Sequence, residues 1–149
     1  MKLIFLDIDG VLNNPKSAEK FGTFNILDAE CVSVLRNLVI LNNASIVISS
    51  TWRGFDNWHD KISGAISNAG WTEARHFIVD RTPFSAESIR SNEIMSWLTN
   101  NKSLLPWKEF IAIDDDNFDM DGIPLIKADP ELGLQKSDLI SLINHGWAI

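Results

Sequence analysis

Asp7 and Asp9 stand two positions apart in "KLIFLDIDGVLNN", directly behind a short apolar run. Residues two apart in an extended chain point the same way, so both acids can face one site, and Gly10 lets the chain turn sharply after them. A second acidic stretch, "IAIDDDNFD", sets Asp114, Asp115, Asp116 and Asp119 behind another apolar run. Carboxylates gathered at strand ends of one sheet repel each other. A hard divalent cation with oxygen ligands relieves that repulsion, and magnesium is the first candidate. A third run, "IVISSTWRG", ends in Ser49, Ser50 and Thr51. Hydroxyls and free backbone N–H groups there suit a phosphate oxygen, and Arg53 offers a planar fork to the same group. Each pattern alone has a plainer reading: an acidic triplet is usually a solvated loop, and Ser-Ser-Thr can cap a helix. Their coincidence behind several apolar runs argues for chemistry.

Those side chains need a scaffold that brings the run ends together. Four runs read as buried strands: "KLIFL" at 2–6, "SIVIS" at 45–49, "FIAI" at 110–113 and, more weakly, "IPLIK" at 123–127, with "HFIV" at 76–79 as a further short one. Runs apolar on both faces fit a parallel sheet covered by helices. Helical patterns fall between them. In "LDAECVSVLRNLVILNN", Asp28 caps the start and Val32, Leu35, Leu38 and Val39 share a face. "NWHDKISGAISNAG" closes on Gly70. In "SNEIMSWLTNN", Ser91 is the expected cap, with Ile94, Trp97 and Leu98 toward the core. "SDLISLINHG" is the expected last helix. Alternating strands and helices predict an α/β architecture, in which ligands bind at the carboxyl ends of the strands.

The 149 residues suit one domain, 1–149, with a real core. The net charge of −7 argues against bulk electrostatic binding to nucleic acid or anionic membrane. A single cysteine, Cys31, excludes an internal disulfide and a cysteine-rich zinc site. No apolar run approaches a membrane span of ~20 residues, and Asp7 and Asp9 interrupt the N-terminal run too early for a signal peptide, so the expected setting is cytoplasmic. His59, His76 and His145 show no ligand spacing. Trp52 is the tryptophan nearest the expected site, as a pocket wall or as a platform for a substrate base.

"FLDIDGVLN" resembles the first motif of the haloacid dehalogenase-like (HAD) phosphohydrolases, D-x-D-G-x behind an apolar strand. "IVISS" is similar to their second motif, "FIAIDDD" to their fourth, and Arg90 in "IRSNEIMSWL" fits the third, where lysine is more usual; Lys102 is the alternative. The ensemble "LDIDGVLN … SSTWR … TPF … IRSNEIMSWL … IAIDDD … DPELGLQ" is similar to a narrower branch, the small phosphatase domains of multi-domain RNA repair proteins, which also occur alone.

The resemblance implies a three-layer, Rossmann-like parallel sheet with no substantial cap domain. It implies a magnesium-dependent phosphomonoesterase that works through an aspartyl-phosphate. Asp7 would be the nucleophile and Asp9 the general acid and base, with Ser50 favoured over Ser49 and Thr51 for the phosphate and Arg90 neutralising charge. The Asp7 carboxylate, the Asp9 main-chain carbonyl and Asp114, with Asp115 beside it, would hold Mg2+; Asp115 with Asp119 is the alternative pair. The expected substrate is a phosphorylated nucleic acid end, a phosphoprotein or another large molecule. Two rivals remain open on the same scaffold: a receiver-like phosphoacceptor module and a catalytically silent binding domain.

Overall fold

The computed structural model describes residues 1–102, 109–117 and 120–149. Five strands, β1 (Lys2–Leu6), β2 (Ala44–Ile48), β3 (Ile78–Arg81), β4 (Glu109–Asp114) and β5 (Leu125–Lys127), form one all-parallel sheet in the order β3-β2-β1-β4-β5. β1 is therefore central. Its side chains alternate: Ile4 and Leu6 pack with Leu35, Ile62 and Leu139 on one face, and Leu3 and Phe5 pack with Ile94, Trp97 and Leu98 on the other. Among the described residues four helices, α1 (Pro15–Phe21), α2 (Ala29–Asn42), α3 (Trp58–Asn68) and α4 (Arg90–Asn100), complete the layers with 3₁₀ segments at Thr51–Gly54, Thr72–His76 and Lys136–His145. This is the expected three-layer α/β sandwich.

α2 starts where expected. The Asp28 carboxylate accepts from Glu30 N and Cys31 N at 2.8 and 3.2 Å, and Val32, Leu35, Leu38 and Val39 are buried. α1 lies ahead of Asp28, in a segment for which the sequence reading names no helix. Asn14 and Ser17 form a capping box around Pro15 at the first helical position, and Gly22 closes the helix at φ 74°. α4 departs from expectation too. It begins at Arg90 without a side-chain cap, and Ser91 lies inside it. Its first turn is held instead by Glu93, which accepts from Ser85 N at 2.8 Å. The expected last helix is a 3₁₀ segment; its buried residues, Leu139 and Leu142, are three apart, the spacing that period aligns. β5 starts two residues later than expected, because Ile123 N is held in a turn by Met120 O and Pro124 has no N–H to give. β3 is likewise shifted, to Ile78–Arg81, behind a 3₁₀ turn.

Among the described residues no helix is long and apolar enough to cross a membrane. The connections after β1 and β2 carry α1, α2, α3 and 3₁₀ turns, with no sheet of their own that would make a cap.

Candidate active site

Leu6 pairs with Ile48 on one side and Ile113 on the other. The next residues continue the ladder, with Asp7 N donating to Ile113 O and Ser49 N to Leu6 O, both at 2.9 Å. Asp7, Ser49 and Asp114 thus meet at the carboxyl edge of the three central strands, where such sheets bind ligands. Asp7 and Asp114 are 7% and 4% exposed, and one carboxylate oxygen from each of Asp7, Asp114 and Asp115 lies within 4.8 Å of the others.

Burial and this crowding work against ionisation. Burial, then the Asp114 charge, raise Asp7 well above the usual carboxylate range against an opposing pull from Arg90. Burial chiefly raises Asp114 from 3.8 to about 6, opposed by the Asp116 N–H and Arg90. Arg90 Nε is 3.8 Å from Asp114 Oδ2. Three hard oxygen donors whose negative charge is mutually unfavourable fit a small divalent cation. Asp119 lies outside the described residues.

Gly10 shapes this corner. It sits at φ 79°, and a Cβ there would press on the Asp115 carboxyl, 2.7 Å from its Cγ. Asn13, which the sequence did not single out, is fully buried and fixes the loop, its Oδ1 accepting from Gly10 N at 2.8 Å.

The carboxylates of the two acids of the first motif have different partners. The strand ends at Leu6, and the chain turns from Ile8, whose carbonyl accepts from Val11 N and Leu12 N. The alternation of an extended chain no longer applies at Asp9. Its carboxylate lies with Trp52 Nε1, 3.2 Å from each oxygen, and with Asn13 Nδ2, 2.9 Å from Oδ1. It does not join the acidic cluster, so a metal contact from Asp9 would come from its main chain. Trp52 is therefore a hydrogen-bond donor to Asp9.

Ser49 and Ser50 are both buried at the end of β2, and Thr51 is exposed. Ser50 Oγ accepts from Trp52 N at 3.2 Å and caps the 3₁₀ turn, whereas Ser49 Oγ has no hydrogen-bond partner among the described residues. Arg90 Nη1 is likewise buried without one. Lys102 is exposed beyond the far end of α4, roughly 15 Å of helix from Arg90.

Arg53 does not offer its fork to a ligand. It is 1% exposed, and all five N–H donors are occupied: Nε by Thr82 O, Nη1 by Ser49 O and Ser50 O, and Nη2 by Pro83 O and Glu93 Oε2. The 2.8 Å ion pair with Glu93 ties the end of β2 to the first turn of α4, which carries Arg90. Glu93 was also missed. Its signal was a charge on the helix face shared by Ile94 and Trp97.

A family model described as the HAD domain in Swiss Army Knife RNA repair proteins matches residues 3–139. No curated protein and no solved structure matches the chain.

Proposed function

Because the chain belongs to the family of HAD domains in Swiss Army Knife RNA repair proteins, we propose that it is a magnesium-dependent phosphomonoesterase acting through an aspartyl-phosphate on Asp7. The family points to phosphohydrolase chemistry. One observation carries the finer reading: a cluster of repelling carboxylates occurs at the same sheet edge as two buried polar groups, Ser49 Oγ and Arg90 Nη1, that have no partner among the described residues. The first suits a cation and the second the oxygens of an anion, the pairing that a bound phosphomonoester needs.

Asp7 Oδ attacks phosphorus as the bond to the leaving oxygen breaks, and the protonated Asp9 carboxyl gives that oxygen its proton. The Asp9 carboxylate then takes a proton from water, whose oxygen attacks phosphorus and displaces Asp7, releasing inorganic phosphate. Ser49 and Arg90 donate to the non-bridging oxygens throughout. Ser49 is proposed for the second-motif role in place of Ser50, because its buried hydroxyl has no partner among the described residues. Asp7, Asp114 and Asp115, with the Asp9 main-chain carbonyl, would hold magnesium; bound there, it would offset the repulsion among the carboxylates and stabilise charge on the transferring group.

The proposed substrate is a phosphorylated end of a nucleic acid or another large molecule. The described connections form no cap, and Phe24, Phe55 and Phe84 are exposed on segments bonded to or stacked on the residues around Asp9 and Arg53.

The test is turnover of an aryl phosphate and a panel of phosphorylated ends, with magnesium and with chelator. Turnover should need magnesium and vanish in Asp7→Asn. Activity surviving both changes refutes the reading, and long-lived phosphorylation of a different aspartate without turnover would favour a receiver-like module.

A further inference from the structure

Asp9 is exposed, and an exposed aspartate at the start of a turn ordinarily samples several rotamers. Here it is gripped from two sides by buried groups. The Trp52 indole N–H is shared between both carboxylate oxygens at 3.2 Å, which fixes the plane of the carboxylate, and Asn13 Nδ2 adds a 2.9 Å bond to Oδ1 alone.

Neither donor is free to follow a moving partner. Trp52 is 6% exposed and stands in a turn capped by Ser50 and anchored by Arg53; Lys61 Nζ lies 5.5 Å from the centre of its ring. Asn13 is locked by its bonds with Gly10 N and Phe24 O, both at 2.8 Å. The grip also makes the two oxygens unequal. Oδ1 accepts from both donors, while Oδ2 accepts only from the indole.

We propose that Trp52 and Asn13 are positioning residues that hold the Asp9 carboxyl in one orientation and leave Oδ2 as the oxygen that passes the proton to the leaving group. The inference rests on the acid–base role proposed for Asp9. In the step it concerns, the phosphorus–oxygen bond of the ester breaks, its electron pair stays on the leaving oxygen, and that oxygen takes the proton from Oδ2. A well-placed general acid contributes ~10²–10⁴-fold. Losing one hydrogen bond that aims it should remove about 10- to 100-fold of this, the scale on which misplacing a catalytic group by about 1 Å slows a reaction. The loss should appear only where the leaving group needs a proton.

The test compares kcat/KM for an alkyl phosphate and for nitrophenyl phosphate, with magnesium, in wild type, Trp52→Phe, Asp9→Asn and the double variant. A second replacement at position 52, β-(3-benzothienyl)alanine, keeps the bicyclic shape without the N–H. Both replacements should lose about 10- to 100-fold on the alkyl ester and under about 2-fold on the nitrophenyl ester. Neither should lose more when Asp9 is already Asn. In NMR spectra of the metal-free protein, the Trp52 indole N–H resonance should shift upfield in Asp9→Ala. Equal losses on both esters, undiminished losses in the Asp9→Asn background, or an indole resonance unmoved by Asp9→Ala overturn the positioning role alone. Absence of wild-type turnover, or turnover indifferent to Asp9→Asn, overturns the functional reading and this inference with it.

Discussion

Replacing Asp114 with Asn should stabilise the metal-free protein at neutral pH. Burial pushes this carboxyl from 3.8 up to about 6, with Asp115 adding to the effect and the Asp116 N–H and Arg90 opposing it. A folded-state value above the unfolded one means that the folded protein holds the proton more tightly. That contribution to stability is complete below the unfolded value and is lost as pH rises through about 6. Each tenfold change in proton affinity is worth about 1.4 kcal/mol, so ionised Asp114 costs the fold on the order of 3 kcal/mol at pH 7. Asn keeps an oxygen for the Asp116 N–H, 3.1 Å away. The opposing pull of Arg90, 3.8 Å away, is already contained in the value of about 6, so the net gain should be on the order of 3 kcal/mol, or roughly 6–12 °C in melting temperature for a chain of this length. Thermal and urea unfolding in chelator, at neutral pH and near pH 4, measure it. Near pH 4 the gain should fall below about 1 kcal/mol, because the folded group is then protonated. Added magnesium should stabilise wild type more than the variant. A variant no more stable than wild type at neutral pH, or a gain undiminished near pH 4, would refute the reasoning.

The buried Arg53–Glu93 pair makes a second expectation. Arg53→Met should cost about 3–5 kcal/mol in urea unfolding, because Glu93 is left charged in the core, and replacing both with Met should recover a large part of it. A double variant no more stable than the single one would assign the cost to the lost carbonyl bonds. Gly10→Ala should cost about 1–2 kcal/mol for its left-handed backbone and, by displacing Asp115, weaken magnesium binding in calorimetry. Unchanged affinity would show that Asp115 is not a ligand. Burial, with the Asp28 charge adding, pushes the Cys31 thiol up to about 12. Its alkylation at mildly alkaline pH should run on the order of 10³-fold slower in the folded protein than in urea, read by mass spectrometry.

Much of the architecture was legible because parallel strands are buried on both faces. β1, β2 and β4 read as uninterrupted apolar runs, and the first acid or hydroxyl behind each marks the sheet edge. Asp28 announced α2 in the same local way. α1 is equally local, written in the Asn14-Pro15 pair and Ser17, but it carries no apolar stripe to announce it.

The sequence by itself thus determined the strands, the acids and hydroxyls that end them, and the family. Only the tertiary structure decided what those side chains face. The order β3-β2-β1-β4-β5 sets β1 between β2 and β4, so Asp7 meets Asp114 on one flank, and Asp9, past the end of the strand, turns to Trp52 on the other. Distant segments likewise took three of the five donors of Arg53, while Ser49 Oγ and Arg90 Nη1 have no partner among the described residues. Local pattern reports burial and backbone shape, whereas a tertiary hydrogen bond depends on where a second, distant segment brings its donor or acceptor. No periodicity within either segment encodes that meeting.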